Sequence, residues 1–304
     1  MELMNIDENV LQALDFFIQN QPPRINVVKY AFPFVVGSGN AYHTGTILFA
    51  DQAAVFADES NFRSLIQAYA PVIEKDLITQ ALIISASGEK DSVWEIELAK
   101  EHGLRTTLLT CHADSSAAKI ADQVIAYQTI AEPYTYNTAT YLGMILSATE
   151  ESPADIKRFI QTMRLPENFG QYAAYAFVLP DRFGNICPML DIKKSELFGP
   201  YLSLRAFPEG HARHAKFVIP SETELVIGIG TDTAHFGHPD HRLNIEIPAD
   251  AGFGFILALT YFITGKIQAS KPPYFKDHIE AYCHDYGPKA YGKTDSFDVI
   301  VPRN

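Results

Sequence analysis

Six consecutive residues, Ser85-Ala86-Ser87-Gly88-Glu89-Lys90, place two hydroxyls, a glycine and a cation directly before an amphipathic segment that runs to Lys100. They follow a short apolar run, ALII, at residues 81–84. A buried strand that empties into a Ser/Gly turn at a helix start is a physical means of holding phosphate. The helix N-terminus offers N–H groups without intrahelical partners and a partial positive charge, hydroxyls add donors on short arms, and glycine admits the anion close to the backbone. Taken alone, the same turn is equally an ordinary serine-capped junction. A second turn, Gly37-Ser38-Gly39-Asn40, invites a dinucleotide reading with Asp58 near the ribose-binding distance. Tyr42 opposes it, because it occupies the place where a third glycine allows close helix–strand packing. A third cluster, His235, His238 and His241 in HFGHPDH, raises the question of metal. Its i, i+3, i+6 spacing lies in a Gly/Pro loop, defines no ligand face, and reads as a surface or interface loop.

These turns need elements to hold them. Residues 1–24 read as a helix ended by Pro22-Pro23. Strands are predicted at 32–36, 54–57, 82–85, 105–110 and 123–127. Helices are predicted at 41–54, 62–69, 92–102, 115–121 and 138–148. The polar, acidic, proline-containing segment 147–155 is the best domain boundary. Beyond it, strands are predicted at 174–179, 216–219, 224–229 and 243–247, and helices at 193–199 and 253–264. Such alternation predicts parallel sheets with helices on both faces, and ligands on such sheets bind beyond the strand C-termini, where both turns fall. The expected division is residues 1–150, with the N-terminal helix, and 151–304, a degenerate copy with a C-terminal tail.

Composition narrows the function. The chain has 304 residues, 47% hydrophobic and 20% charged, which suits two compact globular domains. A net charge of −12 argues against nonspecific nucleic-acid or membrane binding, and obliges any phosphate to be held by local donors. The start, MELMNIDENV, lacks a basic n-region, and the most apolar run, FGFILALTYFI at 253–263, is too short to span a bilayer. Cys111, Cys187 and Cys283 form no CxxC pair, so a reduced cytoplasm is the expected compartment.

The run SASGEKDSVWEIELAKEHGLRTTLLTCHADSSAAKIADQVI resembles the sugar-isomerase (SIS) domain family, whose members carry SxSGxT before a helix ending in AK-x-x-G. Ala99-Lys100, Gly103, the strand residues 107–110 and Ala121-Asp122 stand in the family's places. GSGNAYHTG at 37–45 is similar to the first-strand loop, ADESNFR at 57–63 to the second-strand region, and EPYTYNTATYLGMIL at 132–146 to the wall of the sugar pocket. The resemblance spans the chain as two tandem SIS domains, each a doubly wound parallel sheet flanked by helices in a flavodoxin/Rossmann-like three-layer α/β fold. That architecture is shared by the isomerase part of glucosamine-6-phosphate synthase and by bifunctional phosphoglucose/phosphomannose isomerases. Lys90 stands where the family has threonine, and the next hydroxyl, Ser92, comes one residue early. A lysine can replace a hydroxyl donor to phosphate and adds a charge, or point into solvent.

The resemblance implies phosphate and sugar contacts at Gly39, Asn40, Ser85, Ser87, Lys90, Ser92 and Asn137. It implies a glutamate base at Glu196, preceded by Lys193 and Lys194, to carry a proton between C1 and C2 of a sugar. Ring opening would fall to His214 or His211, which follow Glu209, and His214 is the closer match. Lys276, in KPPYFKDHI, matches a lysine of the synthase tail that enters the pocket, and would assist ring opening, form an imine or neutralise an enolate. The expectation is an aldose–ketose isomerase of a phosphorylated sugar, working through a cis-enediol without cofactor or metal, as a cytoplasmic homodimer with a shared active site and no nucleic-acid or membrane partner. An amino-sugar phosphate deaminase or deglycase, and a non-catalytic phosphosugar-binding regulator, are the alternatives.

Overall fold

The computed structural model describes residues 3–217, 219–285 and 299–300. Two compact units form: Phe16–Glu150 with the described residues from Glu280 on, and Glu151–Ile279 with residues 3–15. They are the N-terminal and C-terminal units below. Helix α1 (Ile6–Gln19) is divided between them. Its start groups with the C-terminal unit because Ile6 N donates to Gln268 Oε1 at 2.9 Å and Lys266 Nζ pairs with Asp7 at 2.7 Å.

The N-terminal unit continues as β1 (Phe34–Gly37), α2 (Asn40–Leu48), β2 (Val55–Ala57), α3 (Phe62–Ala68), α4 (Ala70–Ile73), β3 (Gln80–Ile84), α5 (Asp91–Glu101), β4 (Arg105–Thr110), β5 (Gln123–Ala126), β6 (Glu132–Pro133) and α6 (Thr138–Thr149). Its five-stranded sheet is parallel throughout, in the order β2-β1-β3-β4-β5. Strand β6 pairs in parallel with Val299–Ile300. Every residue of β1 is buried, as are Ala81–Ile84 of β3, which is what a sheet covered on both faces requires. One face packs Phe34, Val36, Ile83 and Leu108 against Ile96 and Ala99 of α5.

The C-terminal unit contains α7 (Pro153–Thr162), β7 (Ala174–Leu179), α8 (Cys187–Phe198), β8 (Ser203–Pro208), α9 (Glu209–His214), β9 (Glu224–Ile229), β10 (Arg242–Ile245), α10 (Phe253–Ala269) and α11 (Tyr274–Asp285). Its parallel sheet has the order β10-β9-β7-β8. Read from β8, that is second-first-third-fourth, the order of the first sheet without its fifth strand. The doubly wound α/β architecture expected from sequence is therefore present twice. Nearly all of α10 is buried, so the apolar run at 253–263 is core. No helix among the described residues is long and apolar enough to cross a membrane.

The structure departs from the local expectations at four places. Residues 115–121 form successive turns, not a helix, because Ala117 N donates to Gly88 O at 3.0 Å and Ser116 N to Glu89 Oε1 at 3.0 Å. Lys216 and Phe217, in the expected strand 216–219, form the turn that ends α9. Lys216 has φ +56°, Phe217 N donates to Ala212 O, and the Phe217 ring plugs the core stacked on Phe236 at 5.7 Å; Val218 lies outside the described residues. Strand β8, which no apolar run announces, is an edge strand with Leu204 buried between exposed Ser203 and Arg205. Helix α8 also begins six residues earlier than expected, with Pro188 in the first turn where its missing N–H costs nothing.

Candidate functional site

In the first sheet the chain leaves β1 toward β2 and β3 toward β4, so the two connections diverge and open a crevice beyond the C-termini of β1 and β3. A cleft of about 150 Å³ occupies it. Ser38 and Ala41 line it from the β1 side, Ser85, Ala86, Ser87, Glu89, Lys90, Asp91, Ser92 and Glu95 from the β3 side, and Asn137 and Tyr141 from α6. Five predicted residues, Ser85, Ser87, Lys90, Ser92 and Asn137, therefore share one cleft. Gly39 and Asn40 stand at its edge as the cap and first residue of α2. Asn40 is buried, and its Oδ1 has no hydrogen-bond partner among the described residues.

The loop is braced from inside. Ser85 Oγ accepts from Gly88 N at 3.1 Å and Ser87 Oγ from Glu89 N at 3.3 Å, so both hydroxyl protons are left to donate outward. Ser92 Oγ instead donates to Glu89 O at 2.7 Å, which turns its proton into the loop. Gly88, at φ +62°, lies so close to Ser115 that a Cβ would collide with its hydroxyl. Three other helix starts are closed by side chains: Glu132 accepts from Thr138 N and Ala139 N of α6, Ser152 caps α7, and Glu151 accepts from three amides at the start of α10, whereas α3 and α8 carry no side-chain cap. No side chain caps α2 or α5, whose starts flank the cleft. An anion there meets amide donors and the positive end of each helix dipole.

The charges around the cleft are mixed. Burial pulls the Lys90 ammonium down from the ordinary lysine range, and Asp91 offsets part of that. Glu95, which sequence reasoning missed, is 2% exposed and its carboxyl is pushed up to about 8, first by burial and then by Asp91, Glu59 and Asp58. The buried residues of α5 are Ser92, Glu95, Ile96 and Ala99, one helical face. The signal was present: Glu95 is in phase with Ser92 below it and Ala99 above it.

The remaining predicted residues lie in the C-terminal unit. Glu196 on α8 accepts from Lys193 Nζ at 2.6 Å; the lysine side chain is 0% exposed and that of Glu196 21%. Burial pushes the Glu196 carboxyl above the usual range while Lys193 pulls against it. His211 and His214, both exposed, line a cleft of about 690 Å³ with Asp181, Asn185 and Cys187. Gly210 N donates to Asp181 Oδ1 at 2.8 Å, which fixes the start of α9 beside it. Glu196 lines neither this cleft nor the N-terminal one. Lys276 is half-buried on α11. Burial raises the thiols of Cys111 and Cys187 to about 11 and about 12, unsuited to nucleophilic work near neutrality.

The HFGHPDH loop brings His238 and His241 to Glu222, with ligand atoms within 4.8 Å of one another, although the spacing defines no helical ligand face. His238 Nδ1 accepts from Asp240 N at 3.2 Å, so the neutral ring carries its proton on Nε2, 3.3 Å from Glu222 Oε1. His241 Nε2 lies 3.2 Å from Glu222 Oε2, and its Nδ1 meets Tyr172 Oη at 3.0 Å. The group works as a hydrogen-bonded clasp across the loop.

No protein-family model matches the chain, and no curated protein matches it in sequence. Solved structures do match. A protein from Silicibacter pomeroyi assigned as a phosphosugar isomerase superposes with a TM-score of 0.59 at 14% identity, over 87% of this chain and 91% of that one. Tagatose-6-phosphate ketose/aldose isomerase from Escherichia coli gives 0.56 at 12%, over 88% and 89%. Glucosamine-6-phosphate deaminase from Thermotoga maritima gives 0.54 at 13%, over 87% and 91%. The fold is theirs. At these identities the likeness is one of architecture, and the chemistry rests on the residues of this chain.

Proposed function

We propose that this protein is an isomerase of a phosphorylated sugar, interconverting an aldose and a ketose phosphate through a cis-enediol. The observation that carries the reading is the crevice beyond β1 and β3, where Ser85, Ser87, Lys90 and two uncapped helix starts converge. In this reading the phosphate docks on those donors and the sugar extends past Asn40 and Asn137. Glu196 takes the C2 proton and returns it to C1. Its partner Lys193 holds the carboxylate in place, and the raised carboxyl basicity suits a group that must both accept and give up the proton. His214 or His211 relays the ring-opening proton, and Lys276 stabilises the developing oxyanion. Two copies of the chain form the working unit. The fold shared with a glucosamine-6-phosphate deaminase supports a second reading, loss of ammonia from an amino-sugar phosphate on the same phosphate grip.

A panel of hexose and pentose phosphates, with and without an amino group, in D₂O separates the readings by NMR. Deuterium entering at C1 or C2 supports isomerisation, ammonia release supports deamination, and tight binding with neither leaves a sensor. Glu196→Gln is expected to lower exchange by about 10²–10⁴-fold with sugar-phosphate affinity retained. Because that change strips Lys193 of its counter-charge, Glu196→Asp serves as a second variant, which keeps the pair but draws the carboxylate back. Unchanged exchange in both would remove Glu196 from the chemistry.

A further inference from the structure

Glu95 sits at the inner wall of the N-terminal cleft, one helical turn beyond the Lys90–Asp91 entry to α5. It is buried, and its Oε1 has no hydrogen-bond partner among the described residues. An orphaned buried carboxyl oxygen costs free energy unless a ligand or solvent satisfies it. Beyond it along α5 the same helix face is apolar, with Ile96 and Ala99 in the core, so the cleft is the polar side open to it.

The surrounding charges fix its protonation. Asp91 precedes it by one turn on α5, and Asp58 and Glu59 face it from the turn between β2 and α3. Glu89 and Lys90 line the same cleft, and Arg63 of α3 lies over the Trp94 ring at 4.3 Å. One lysine thus stands among several carboxyls, and an ionised Glu95 would repel any anion on the serine loop. A neutral carboxyl does the opposite. It is a hydrogen-bond donor aimed at a site whose ligand, a phosphate, has only acceptors to offer when fully ionised.

We propose that Glu95 is a ligand-binding residue of this cleft, and that it holds the phosphate of the ligand as a neutral acid. The proposal rests on the reading of the cleft as a phosphosugar site. It makes the site proton-linked: with a carboxyl near 8, affinity is flat below neutrality and falls as pH rises past that value. Lys90 is the rival source of the same trend, because its lowered ammonium loses charge in the alkaline range.

The test is calorimetric titration of the full chain with sodium sulfate, a dianion that does not itself titrate between pH 6.5 and 9.5, and with fructose 6-phosphate. Sulfate is expected to bind on the order of tenfold more weakly at pH 9.5 than at pH 7, taking up about one proton per anion at pH 9.5 and almost none at pH 7, as read from enthalpies in two buffers of different ionisation heat. Glu95→Gln, which keeps the shape and an N–H donor but cannot ionise, is expected to bind with the neutral-pH affinity across the range. A pH dependence that survives in Glu95→Gln and vanishes in Lys90→Met overturns the proposal, as does affinity that rises with pH, the mark of a carboxylate receiving a cationic amino group. Binding of neither probe at pH 6.5 overturns the phosphosugar reading of the cleft, and the role of Glu95 with it.

Discussion

Lys90 adopts φ +59° and ψ −128°, a backbone region that glycine visits freely and a lysine does not. Gly39, at the matching place before α2, has almost the same angles, +56° and −121°. The strain sits on Lys90, the one cation among the described residues that line the cleft, and in the proposed reading it serves binding. Lys90→Gly is expected to relieve it, raising stability by about 1 kcal/mol after the glycine's larger unfolded-state entropy is counted, while sulfate affinity drops severalfold. Thermal unfolding and calorimetry on the same sample check both halves; a destabilised variant with intact binding contradicts them. At this scale the sequence was half legible. Ser85 and Ser87 declare themselves by type and by their place after an apolar run. Glu95 does not, because an isolated glutamate on an amphipathic helix counts as solvent face until its phase with Ser92 and Ala99 is read. The sharing of Ser92's proton with Glu89 O is a matter of loop geometry that no residue type announces.

Among the elements, Asp122 ties three together. It accepts from Thr106 N at 2.8 Å and Thr106 Oγ1 at 2.9 Å at the start of β4, and from Lys100 Nζ at 2.9 Å at the end of α5, while itself leading into β5. The Lys100 hydrogen bond, aided by Thr106, holds its carboxyl down to about 2. A lowered carboxyl contributes stability above the ordinary aspartate range and loses it as pH falls toward that value. The side chain is 35% exposed, so solvent screening reduces the effect. Asp122→Asn is expected to cost about 1 kcal/mol at pH 7, with the gap to wild type closing between about pH 4 and pH 2 in denaturant titrations. A gap that is constant with pH would assign the loss to hydrogen-bond geometry alone. The Ala121-Asp122 dipeptide was legible as a motif, and the strand–helix alternation was legible because β1 and β3 are continuous apolar runs buried on both faces. Residues 115–121 and β8 were not. The first has helical composition but spends the amides of Ser116 and Ala117 on Glu89 and Gly88. The second is an edge strand whose exposed Arg205 is satisfied by Glu224, 19 residues away, at 2.7 Å.

For the whole molecule, two sheets of matching strand order leave two candidate crevices, and their chemistry differs. The C-terminal counterpart, beyond β7 and β9, opens onto Arg182, Thr231, Asp232 and Asn244 and has no serine-rich turn before a helix. The N-terminal crevice pairs the Ser85 and Ser87 hydroxyls with the uncapped starts of α2 and α5, against a molecular charge of −12 that offers an anion no help at distance. The central claim is that this crevice grips the phosphate of a sugar. Calorimetric titration with a panel of hexose 6-phosphates and their phosphate-free hexoses, repeated in Ser87→Asp, tests it most directly. Sugar phosphates are expected to bind wild type, to be displaced by sulfate, and to bind the variant at least about tenfold more weakly at unchanged melting temperature, because the new carboxylate occupies the anion's place. Equal binding to both proteins, or phosphate-free hexoses binding as tightly as their phosphates, would contradict it.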